Sequence, residues 1–101
     1  QMIRQLMMGS DPQREMACET IAVSGQAKWA TDLEQLKMVN GYHLAKASQT
    51  LAACLFNQAI PFLERLHSAF PKEYHTEYAL LELRARIEKG EPRRRIGYRK
   101  P

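Results

Sequence analysis

Long apolar runs are missing from this chain of 101 residues. The longest, Leu51–Phe56, falls well short of the roughly 18–20 residues that a membrane-spanning helix needs. Alternation of apolar and polar residues at a period of two is missing as well, so no half-buried strand is expected. Cysteine is scarce. Cys18 and Cys54 stand apart, and neither belongs to a Cys-x-x-Cys pair, which removes the redox and zinc-ribbon signatures. Two buried thiols in a reducing compartment are the expected state, and a Cys18–Cys54 bridge would need oxidising conditions. No secretory signal is visible, and the expected compartment is the cytoplasm.

Chemistry-bearing patterns are equally thin. The five glycines are scattered, so no phosphate-cradling loop is present. Zinc sites pair ligands three to five residues apart. Here the nearest histidines, His67 and His75, are eight positions apart, with Phe70-Pro71 between them. His43 falls on an apolar helical stripe, the place of a hydrogen-bonded core or interface histidine. A nucleophile needs a base in reach and a group to orient that base. No local pattern supplies one. The expectation is a protein that is not an enzyme, with no catalytic residues, no metal and no cofactor.

What is present begins with a lopsided charge. The chain has 15 Lys and Arg against 11 Asp and Glu, a net charge of +4. Five of those cations and one acid lie in Glu91–Pro101, so the tail holds the whole excess and Gln1–Gly90 is neutral. The basic pI of about 9.3 therefore describes an appendage, not a body. The reading is one helical domain, 1–90, followed by a basic C-terminal tail, 91–101.

Helical periodicity runs through the domain. Ile3, Leu6 and Met7 share one side of a short turn stopped by Gly9. Ser10-Asp11-Pro12 is a helix start, with a capping side chain followed by a proline whose missing N–H is harmless there. That helix is expected to end at Ser24-Gly25, with Gly25 as a left-handed cap. A second helix opens near Ala27 and carries Trp29, Leu33, Leu36, Asn40, His43, Ala47 and Leu51 on one face. It is too long to run on to Ala69 in a compact domain, because that span would reach about 64 Å. The main break is expected at Asn57–Pro61, with Asn57 capping the next helix, and the rival break at Asn40-Gly41. Phe70-Pro71 stops the fourth element, and Pro71 is expected to start the last helix. There Tyr74, Tyr78, Leu81 and Ala85 form one stripe, with Leu80, Leu83 and Ile87 beside it. Gly90 closes it.

The fold expected is all-α: a small bundle of four to five helices with a long central helix, paired as a homodimer. Polar residues on the central helix (Asn40, His43, Ser48, Thr50) would set the register of pairing. Ala17–Ala30 has the outline of a helix–turn–helix. However, Ile21 occupies the position where a small residue is usual, and Asp32 and Glu34 would give the second helix an acidic outer face that repels phosphate.

Two functions follow from these features. The first is a non-enzymatic regulatory protein that binds another protein through its helical faces, such as an antiactivator that blocks a transcription regulator. Its partner-binding residues would be Leu6, Met7, Trp29, Leu33, Tyr74 and Tyr78, since tyrosine and methionine suit adaptable interfaces. The second is a helical dimer that binds nucleic acid through its tail. Arg93, Arg94, Arg95, Arg99 and Lys100 would neutralise phosphates, and Tyr98 would stack on a base.

Overall fold

The computed structural model describes residues 2–36 and 41–91. Among them are five α-helices and no strand: α1 (Met2–Met8), α2 (Asp11–Glu34), α3 (Gly41–Leu55), α4 (Ile60–Ala69) and α5 (Tyr74–Glu88), with a 3-10 turn at Phe56–Ala59 between α3 and α4.

The start of α2 is a full capping box. The Ser10 side chain accepts from the Gln13 amide at 3.4 Å, and the Gln13 side chain accepts from the Ser10 amide at 2.9 Å. Pro12 sits in the first turn, as its chemistry requires. Halfway along, the helix is broken at Gly25, where φ is 78° and ψ is −166°. The break falls where it was expected, but the conformation is not a left-handed cap. A positive φ combined with an extended ψ is essentially open to glycine alone.

The long central helix is not one helix. At Gln35 and Leu36 the amides turn to carbonyls three residues back, Asp32 and Leu33, so the last turn tightens and α2 ends. The next described helix, α3, opens at Gly41; Asn40, half of the rival break site, lies outside the described residues. The chain also breaks at the main expected site. Pro61 has no N–H to offer the Asn57 carbonyl, and the Ile60 amide takes that acceptor instead. The result is a 3-10 turn entered through Phe56 at φ 51°, a costly angle for a residue with a Cβ. Asn57 lies inside this turn and does not cap α4, whose N-cap is Ala59 with no side-chain bond. The molecule's longest dimension is 38 Å, which shows why the chain must fold back.

Pro71 does not start the last helix. Glu73 precedes it as N-cap and α5 opens at Tyr74. Its end is a complete Schellman motif. The Gly90 amide bonds the Ile87 carbonyl and the Glu91 amide bonds the Arg86 carbonyl, both at 3.0 Å, with Gly90 at φ 75°.

One core joins all five helices. Ile3, Leu6 and Met7 of α1, Ile21 and Trp29 of α2, Leu44 and Leu51 of α3, Leu63 and Leu66 of α4, and Leu80 and Leu83 of α5 are buried together. Trp29 is fully buried, and its indole N–H donates to the Phe62 carbonyl at 3.2 Å. Asp32, expected on an outer acidic face, is instead buried and pairs with Lys28 at 3.2 Å.

Candidate protein-binding face

Helix α5 repeats the same helical spacing twice. One row, Thr76, Leu80, Leu83 and Ile87, turns inward: the first three are buried and Ile87 packs at the edge of the core. The other row, Tyr74, Tyr78, Leu81 and Ala85, turns outward, with Tyr74 69%, Tyr78 64% and Leu81 60% exposed. Both rows have the i, i+4, i+7, i+11 step, so α5 is apolar on two sides.

The inner row is pinned by a hydrogen-bond relay. The Thr76 hydroxyl donates to the Glu73 carbonyl at 3.2 Å. Its oxygen is then left to accept from His67 Nδ1 at 3.0 Å, which ties the start of α5 to α4. Together with the burial of Leu80 and Leu83 this holds the row inward and leaves the other row to solvent.

Helix α3 runs alongside α5 in the same direction. At one end Gly41 lies against His75 and Glu73, where an added Cβ would meet His75 Cε1 at 3.0 Å. At the other end the Arg86 guanidinium lies over the Phe56 ring, 5.7 Å from its centroid. A shallow groove of about 80 Å³ separates the two helices, lined by Ala45, Ser48 and Gln49 on one side and by Tyr74, His75, Tyr78 and Glu82 on the other. Tyr74 stacks on His75 at 4.1 Å. The His75 ring is 3.6 Å from the Glu73 carboxylate. Tyr42, one turn before Ala45, is also exposed, and Lys46 sits over its ring at 5.8 Å. Ser48 Oγ is buried without a hydrogen-bond partner at the groove floor.

Of the six residues expected to bind a partner, the structure brings only Tyr74 and Tyr78 together on the surface. Leu6, Met7, Trp29 and Leu33 are core side chains. They close the fold and are not presented to a partner. Arg93, Arg94, Arg95, Tyr98, Arg99 and Lys100 lie outside the described residues. Tyr42 was not singled out by periodicity, because it lies outside the apolar stripe through His43 and Ala47. Among the described residues no group of three or more His, Cys, Asp and Glu side chains is placed to hold a metal ion. Among the same residues no helix is long and apolar enough to cross a membrane.

No protein-family model, no curated protein and no solved structure matches this chain. The functional reading therefore rests on its own residues.

Proposed function

We propose that this is a small, non-enzymatic regulatory protein of the cytoplasm that works by binding other proteins through the exposed side of α3 and α5. It pairs with a second copy as a homodimer through this same face, and it acts as an inhibitor of a transcription regulator, which takes the place of the second copy and has the surface it needs for dimerisation or DNA access covered. The observation that supports this reading is the second apolar row of α5. The core is complete without Tyr74, Tyr78 and Leu81, yet they share one exposed row of α5, and Tyr42 on the neighbouring α3 is exposed as well. Tyrosine carries a large apolar body at low cost in side-chain entropy, which is why it anchors interfaces. An exposed apolar row on a helix of so small a protein is a mark of an interaction site.

The test is capture from the source cell by the immobilised protein and by its Tyr74→Ser/Tyr78→Ser form. The proposal expects a DNA-binding regulator held by the first and lost by the second. Equal capture by both forms contradicts it.

A further inference from the structure

The two cysteines, 36 positions apart in the sequence, open onto one cavity. It measures about 260 Å³ and is lined by Glu15, Cys18, Glu19, Cys54, Leu55 and Gln58. Cys18 comes from the first arm of α2 and Cys54 from the last turn of α3. Both carry thiols. The Cys18 sulfhydryl donates to the Thr50 carbonyl at 3.7 Å. In α3 that carbonyl points toward the amide of Cys54, one helical turn further on. Helical Cα–Cβ bonds tilt toward the N-terminus, so the Cys54 side chain is carried back toward the same turn. Both thiols therefore lie near one turn of α3 and line the same cavity.

The cavity is reached from solvent. Glu19 and Gln58 at its rim are exposed, while the two thiols lie at its floor. A water molecule takes about 30 Å³, so a small peroxide enters with room to spare.

We infer that Cys18 and Cys54 form a dithiol site that hydrogen peroxide converts to an intramolecular disulfide joining α2 to α3. One thiolate attacks a peroxide oxygen, giving a sulfenic acid and releasing water. The second thiol attacks that sulfur, the S–S bond forms, and a second water leaves. Two thiols are oxidised by two electrons and one peroxide is reduced to two waters. The bridge constrains the unfolded chain across the whole Cys18–Cys54 loop. It sits away from the α3/α5 groove and does not depend on the function proposed for that face.

The experiment treats the full chain with millimolar hydrogen peroxide under native conditions and reads its intact mass, thiol content and thermal midpoint. The expected product is a monomer that has lost two hydrogens and both titratable thiols, with one Cys18–Cys54 peptide link and an unchanged helical spectrum. Its midpoint rises on the order of 10 °C and falls back with dithiothreitol. The same treatment in guanidinium is the control for reagent strength. Persistence of both thiols in the native chain while the unfolded chain oxidises overturns the inference. So does oxygen addition at one cysteine without a link, or a bridge formed only between chains.

Discussion

The indole N–H of Trp29 reaches across from α2 to the main-chain carbonyl of Phe62 on α4, and the two aromatic rings meet edge to face with centroids 5.7 Å apart. One contact thus fixes both the spacing and the register of two helices that are far apart in sequence. Phe62 sits just after Pro61, so the proline that breaks the chain also delivers the ring that Trp29 packs on.

Trp29→Phe removes the hydrogen bond and leaves part of the indole volume empty. The expected loss is about 1–3 kcal/mol of stability, read from denaturant unfolding with an unchanged m-value. A neutral result would mean that the ring pair does not hold α2 to α4.

Gly25→Ala tests the break in α2. No atom lies within 4 Å of an added Cβ, so crowding plays no part. The backbone angle alone opposes the substitution, and a loss of about 1–2 kcal/mol is expected. An increase in stability, as for an ordinary helical glycine, would show that α2 runs straight.

Thr76→Val and Thr76→Ser separate packing from hydrogen bonding at the start of α5. Valine keeps the volume and leaves His67 without its acceptor, so it is expected to cost about 1–2 kcal/mol in a thermal melt. Serine keeps the hydroxyl and is expected to cost less. The reverse order would remove the relay from the contacts that hold the inner row of α5.

A chain ending at Glu91, which keeps the amide that closes the Schellman turn, tests the tail. Its melting point and self-association are expected to match those of the full chain, because the Schellman turn closes α5 before the basic run begins. If instead the full chain binds nucleic acid with a steep salt dependence and the shortened one does not, the tail is the working part.

The helical class and several boundaries were legible in the residues. Ser10-Asp11-Pro12, Ser24-Gly25, Phe70-Pro71 and Gly90 each carry a local chemistry that acts whatever surrounds them. The central helix was not legible, because Trp29, Leu33, His43 and Ala47 keep a helical step across a break that lies in the backbone of Gln35 and Leu36. Nor could periodicity tell which row of α5 faces inward. Tyr74-Tyr78-Leu81 and Thr76-Leu80-Leu83 share one spacing, and only contacts between helices, the burial of Leu80 and Leu83 in the common core together with the His67–Thr76 bond, decide between them. The same limit misplaced Leu6, Met7, Trp29 and Leu33, since a core and an interface are made of the same side chains. The meeting of Cys18 and Cys54 at one cavity has no sequence signal at all.

Sedimentation equilibrium of the wild-type chain and of its Tyr74→Ser/Tyr78→Ser form tests the central claim most directly. Both side chains are exposed, so the substitutions should change stability by no more than about 0.5 kcal/mol. The account predicts a dimer at micromolar concentration for the wild type and a folded monomer for the variant. A wild type that stays monomeric throughout, or a variant that pairs as well as the wild type, contradicts it.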